Sequence, residues 1–170
     1  MSMGETPGAA VPAKTSVERR TDRDVYITRR FAAPLAIVYE AWSRPELFRQ
    51  WWVPRSAGIT LLSCEMDVRT GGTYRLEFGH PQSDTPMAFF GTYQDVVPNS
   101  HIAWTNEENP QGSVTTVTFT EEDGLTKVQI HECYPSKEAL DEEIASGGAA
   151  DGMQETLDQL EEFVTAPAKG

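Results

Sequence analysis

Two alternating runs, SVTTVTFTEE and LTKVQIHECY, meet across the dipeptide Asp123-Gly124. β-Branched and aromatic residues recur at every second position of both, the period of a strand with one buried face. Asp-Gly supplies the positive-φ pair that a two-residue hairpin turn demands. The chain must therefore build an antiparallel sheet, and some other element must cover that sheet's apolar face.

The sequence upstream extends the same pattern. From residue 58 it reads GITLLSCEMDV, the turn RTGG, TYRLEF, then MAFFGTYQDVV up to Pro98, then HIAWTNEE. Tyr74, Leu76 and Phe78 share one face of their strand, as do Phe89 and Tyr93, Ile102 and Trp104, Val117 and Phe119, and Val128 and Ile130. These six strands form a meander. A separate strand, DVYITRRF, precedes them, so the expected sheet is seven-stranded, curved and antiparallel.

Helical signals flank the sheet. Pro34 opens a helix whose Leu35, Val38, Tyr39 and Trp42 lie on one stripe, and Pro45 opens a shorter one with Leu47, Phe48 and Trp51 on its apolar side. Three of the four tryptophans fall in AWSRPELFRQWWVP. Trp42 and Trp51 read as core anchors, while Trp52 lies off the stripe and is a candidate for a pocket mouth. Near the end, PSKEALDEEIAS is polar and acidic, and Gly147-Gly148 interrupts it. Met153, Leu157, Leu160 and Val164 then form the stripe of an amphipathic helix, with Glu155, Asp158, Glu161 and Glu162 placed toward water.

The fold class is therefore α+β, a curved sheet gripping a long C-terminal helix with two short helices after the first strand. Residues 1–22 are rich in Gly, Ala, Pro and charge and read as a disordered tail. Residues 23–165 read as one domain, and 166–170 as a second tail. A sheet wrapped on a helix leaves space between them, and that space is the natural place for a ligand.

Charge narrows the partners. The net charge is −12 and the pI about 4.6, which disfavours nucleic acid and anionic membranes. No segment approaches eighteen apolar residues and the first twenty lack a leader's apolar run, so the expected location is cytoplasmic. Cys64 and Cys133 are far apart without a CxxC and are expected as reduced thiols. His80, His101 and His131 show no metal-ligand spacing, so neither metal nor cofactor is expected. No GxSxG and no Ser-His-Asp set occurs, and no Lys-Ser/Thr follows Gly71-Gly72, so no catalytic residue is assigned.

One position conflicts with its pattern. Val25, Ile27 and Phe31 alternate inward, and Arg29 shares their face. A guanidinium there requires an acidic partner. Glu132 shares the inward face of Val128 and Ile130 on the last strand, which should neighbour the first. The expected pair is Arg29–Glu132, with Glu40 and Asp95 as alternatives, and either member could anchor the polar end of a ligand.

RRFAAP, AWSRPELFRQWWVP, DVRTGGTYRLEF, FFGTYQDVVP and IAWT together resemble the START-like, helix-grip superfamily (SRPBCC), which includes the birch pollen allergen. Within it the chain is similar to the branch of the heat-shock chaperone ATPase activator. The resemblance spans roughly residues 24 to 164. It departs at Gly152-Met153, where the family usually has Gly-Trp. The resemblance implies apolar small-molecule binding, with some members cyclases or hydrolases, and chaperone stimulation in the named branch. A ligand-binding cavity is accordingly expected, lined by Trp52, Tyr74, Leu76, Phe78, Phe89, Tyr93, Trp104, Phe119, Met153, Leu157 and Leu160. Residues 135–150 would be its lid and Gly147-Gly148 the hinge. A surface role on a chaperone ranks second and an enzyme third.

Overall fold

A computed structural model describes residues 15–108, 112–145 and 148–165. The elements run β1 (Ser16–Arg19), β2 (Asp24–Phe31), α1 (Leu35–Ser43), α2 (Pro45–Phe48), β3 (Thr60–Met66), β4 (Thr73–His80), β5 (Ser83–Val97), β6 (His101–Thr105), β7 (Val114–Glu122), β8 (Leu125–Cys133), α3 (Lys137–Ala145) and α4 (Gly148–Thr165). All strands belong to one antiparallel sheet in the order β1-β2-β8-β7-β6-β5-β4-β3. The first long strand and the last are neighbours, with Asp24 opposite Cys133 and Phe31 opposite Thr126.

The β7–β8 hairpin closes as its sequence demands. Glu122 pairs with Leu125, and both residues between them take positive φ, 52° at Asp123 and 81° at Gly124. That mirror-image turn matches the strands' right-handed twist. Register shifts interrupt the β3–β4, β4–β5 and β5–β6 ladders, and such bulges bend a sheet.

The sheet has eight strands rather than seven. The additional one, β1, lies within the stretch expected as a tail. It is exposed throughout and carries no apolar alternation, and it is held by its backbone pairing to β2 from Ser16–Thr28 to Arg19–Val25. Arg20 also stacks over the Tyr26 ring, 4.1 Å from its centroid. Residues 1–14 and 166–170 lie outside the described residues, as do Ser146 and Gly147, so the expected hinge falls there except for Gly148, which begins α4.

The core sits between the concave sheet face, α1 and α4. Val25, Ile27 and Phe31 of β2, Val128 and Ile130 of β8, Val117 and Phe119 of β7 and Leu157 and Leu160 of α4 are all buried. Fully burying each such side chain contributes about 1.5–3 kcal/mol, which explains why an 18-residue helix with an acidic outer side docks there.

Candidate functional site

The α1–α2 hairpin supplies one wall of the site. Trp42 packs edge-on against Trp51 at 4.8 Å and Trp52 at 5.9 Å, and Phe48 stacks on Trp52 at 4.7 Å. The indole of Trp51 donates to the Ala41 carbonyl at 3.0 Å, which suits its position deep in the core. The loop after α2 is then fastened to α4 by polar side chains. Gln159 donates to the carbonyls of Trp51 and Val53 at 2.9 and 2.8 Å and accepts from the Arg55 amide at 2.8 Å. Thr156 donates to the Trp52 carbonyl at 3.2 Å, and Glu155 accepts from the Ser56 amide at 3.0 Å. Both Gln159 and Thr156 are buried, so these bonds fix the backbone that presents Trp52.

Against this wall the sheet forms a half-open apolar chamber of about 160 Å³. Trp42, Phe48, Trp52, Met66, Tyr74, Leu76, Phe78, Phe89, Tyr93, Trp104 and Asn106 line it. Trp52, Phe89, Trp104 and Asn106 also border a wider outer chamber of about 750 Å³, continued by Glu108, Gly112, Ser113, Thr115, Glu132, Tyr134, Ala139, Glu142, Glu143 and Met153. Phe89 is 40% exposed and sits at the rim.

Of the residues expected to line a cavity, the inner chamber takes seven: Trp52, Tyr74, Leu76, Phe78, Phe89, Tyr93 and Trp104. Met153 reaches only the outer chamber and a shallow groove beside it. Phe119, Leu157 and Leu160 line neither chamber. They are 4%, 1% and 0% exposed and pack into the core, because α4 lies against β2 and α1, and α1 covers Phe119 with Tyr39 and Trp42. Trp42 and Phe48, read as hairpin core, also face the chamber. Asn106 and Met66 went unnoticed, although Asn106 continues the inward alternation of Ile102 and Trp104 beyond the end of β6.

The ionic pair is also reassigned. Arg29 is buried as expected, but its partners come from α4: Asp158 at 2.5 Å and Glu161. Glu132 lies opposite Val25, four positions along the strand from Val128, which faces Arg29, and that separation is too great for a contact. Asp158 and Glu162 are exposed, as expected, yet Asp158 also pairs with Arg29, and Glu162 pairs with Arg55 at 3.0 Å.

Glu132 instead ends a polar chain along the chamber wall. Tyr74 Oη donates its proton to the Thr105 carbonyl at 2.7 Å and lies 3.3 Å from Asn106 Oδ1. Asn106 Nδ2 donates to the Ser113 carbonyl at 2.8 Å and to Thr115 Oγ1 at 3.0 Å, and lies 3.2 Å from Ser113 Oγ. Both hydroxyls donate onward to Glu132 Oε1, at 2.6 and 2.8 Å. Burial raises the Glu132 carboxyl above its ordinary range, against the lowering effect of the two hydroxyls, and nearby Glu143 raises it further. Burial likewise pushes the phenols of Tyr74, Tyr93 and Tyr134 upward, so they remain neutral donors.

Elsewhere, Asp24, His131 and Cys133 bring donor atoms within 4.8 Å of one another among the described residues, from adjacent strands that no sequence spacing reveals. His131 Nε2 already lies 2.6 Å from Asp24 Oδ1, and its ring stacks on Tyr26. The thiol of Cys133 is raised by burial and by Asp24, the reverse of an activated nucleophile. Both cysteines are unpaired.

The model of the family described as "Activator of Hsp90 ATPase homolog 1-like protein" matches residues 32–165. The chain belongs to this family. It carries the START-like fold of the SRPBCC superfamily, in the branch of the chaperone ATPase activator homologues. A protein from Rhodobacter sphaeroides is similar at 19% identity and a TM-score of 0.82, over 91% of this chain and 100% of that one. A protein from Mycobacterium smegmatis is 25% identical with a TM-score of 0.74, over 92% and 99%. An AHSA1-like protein from Aeromonas hydrophila is 19% identical with a TM-score of 0.63, over 83% and 92%. No curated protein matches the chain. No helix among the described residues is long and apolar enough to cross a membrane.

Proposed function

We propose that this AHSA1-like protein binds a small apolar or amphipathic molecule in the aromatic inner chamber. The observation that supports the reading is the chamber itself, about 160 Å³ and ringed by Trp42, Trp52, Trp104, Tyr74 and Tyr93, with a second chamber leading outward. A core built only for stability closes such space, because each void costs packing energy. Stability is spent here on a concave apolar surface with a few polar groups at one end, the usual make-up of a ligand site. The two unpaired thiols fit a reducing compartment, and we place the protein in the cytoplasm.

A surface role on a heat-shock chaperone competes with this reading. It draws on the family description and on the acidic outer side of α3 and α4, which would suit a basic partner. Leu76→Trp separates the two. It fills the inner chamber from a strand and leaves the helical surface untouched. Native mass spectrometry of freshly purified protein should find an added mass that leaves on denaturation and is lost in Leu76→Trp. A clean mass in both, together with stimulation of a chaperone ATPase that Leu76→Trp leaves intact, would favour the surface role. An enzymatic role has less support, since Glu132 is the one inward carboxyl with a raised range and no base, nucleophile or metal set accompanies it among the described residues.

A further inference from the structure

We infer that the ligand is an amine: one ring-sized apolar group joined to a protonated amino group, with the ring in the inner chamber and the amine in the outer one against Glu132. The inference rests on the cavity-binding reading and adds the chemistry of the head group.

Size constrains the apolar part. A dry protein cavity of about 150 Å³ accommodates a benzene-sized molecule, and the inner chamber is of that order. Its lining is aromatic on nearly every side, and Asn106 stands at the junction with the outer chamber. A longer chain would have to continue outward past Trp52 and Trp104.

Charge constrains the head. Glu108, Glu132, Glu142 and Glu143 border the outer chamber, and no lysine, arginine or histidine lines either chamber among the described residues. The buried cation that could have received a carboxylate, Arg29, is occupied by Asp158 and Glu161 and lines neither chamber. A carboxylate or phosphate head would therefore meet like charge with no counter-ion.

Hydrogen-bond direction then selects Glu132 among the four. Asn106 Nδ2 donates its two protons to the Ser113 carbonyl at 2.8 Å and to Thr115 Oγ1 at 3.0 Å, with Ser113 Oγ 3.2 Å away, and the hydroxyls of Ser113 and Thr115 give their single protons to Glu132 Oε1. The carboxyl is thereby held in place by one oxygen. Its other oxygen receives no bond from these groups, and it is the acceptor assigned to the ligand's donor. An ammonium supplies both the donor and the charge that a desolvated carboxylate lacks.

Three ligands with one ring and different heads test this: phenethylamine, phenethyl alcohol and phenylacetate, titrated at neutral pH against tryptophan fluorescence. Trp42, Trp52 and Trp104 report occupancy of the inner chamber directly. The amine should bind more tightly than the alcohol by on the order of tenfold to a hundredfold, the range of a hydrogen bond to a charged group, and phenylacetate should bind weakest. Glu132→Gln should collapse the amine's advantage over the alcohol. Glu121→Gln, which removes the same charge from an exposed site outside both chambers, should preserve it. Equal binding of all three heads would overturn the amine inference and leave the cavity reading standing. Tightest binding of phenylacetate, or an amine advantage that survives Glu132→Gln, would overturn it too. Failure of all three to bind would overturn the cavity reading with it.

Discussion

Two charged residues face inward from the β2–β8 pair, and they sit in opposite kinds of surroundings. At the Arg29 end α4 lies flat on the sheet, Leu157 and Leu160 are sealed, and two carboxylates close over the guanidinium. At the Glu132 end the helix does not cover the strand, two hydroxyls satisfy one carboxyl oxygen, and the remaining space is the outer chamber. The same alternation produced both positions. What distinguishes them is the element lying above, and that decides whether a buried charge seals a core or equips a site.

The largest effect should come from stranding the sealed charge. Asp158→Asn with Glu161→Gln leaves the guanidinium of Arg29 buried without a counter-charge, at a cost of about 3–5 kcal/mol. A lowered midpoint in chemical denaturation, with an unchanged slope, would show it. A loss under about 1 kcal/mol would mean that the sealed end is open to solvent and the contrast between the two ends false.

Leucines from the filled core and the inner chamber give the next comparison. Leu160→Ala creates a new void in a filled region and should cost about 3 kcal/mol. Leu76→Ala enlarges a chamber already present, so its cost should fall nearer about 2 kcal/mol, mostly lost transfer energy. Equal costs would indicate that the inner chamber collapses in solution. Gln159→Ala should follow, at about 2 kcal/mol, since the Arg55 amide and the carbonyls of Trp51 and Val53 lose their partner. Because that loop carries Trp52, the variant should also weaken ligand binding, a pairing that Leu160→Ala should not show.

The sequence made the inward faces legible and left their covers hidden. The period of two placed Arg29, Glu132, Tyr74 and Trp104 on the concave side, and the Asp123-Gly124 turn fixed the β7–β8 register, because both depend on neighbours along the chain. Arg29's partners lie 129 and 132 residues away. On α4 they occupy positions that helical periodicity alone assigns to water, since a narrow apolar stripe does not reveal that its flanks also touch the protein. Gln159 and Thr156 were invisible for the same reason. The strand β1 escaped because backbone pairing to β2 and the Arg19–Asp141 ion pair hold it, and its SVER sequence has no apolar face to betray a sheet edge. The family resemblance supplied the fold and the expectation of a cavity, while Leu157 and Leu160, taken from the α4 stripe as cavity candidates, pack in the core.

The smallest effect has the opposite sign and tests the open end most directly. Glu132 titrates above its ordinary value of 4.5 in the folded protein because burial penalises its charged form. Below that ordinary value the carboxyl is protonated in both the folded and the unfolded chain, so it imposes no penalty. As pH rises past it, the unfolded chain releases the proton while the folded chain keeps it, and stability falls until the folded group ionises too. Above that window the penalty is constant. Glu132→Gln keeps an acceptor for Ser113 and Thr115 but carries no charge, so it should melt higher than the parent at neutral pH and match it in acid. A variant that melts lower at neutral pH would mean the carboxylate is stabilised by a cation within the protein, and the open end would then resemble the Arg29 end. An amine ligand should erase the difference by supplying that cation, which makes the melting shift a readout of occupancy as well as of burial.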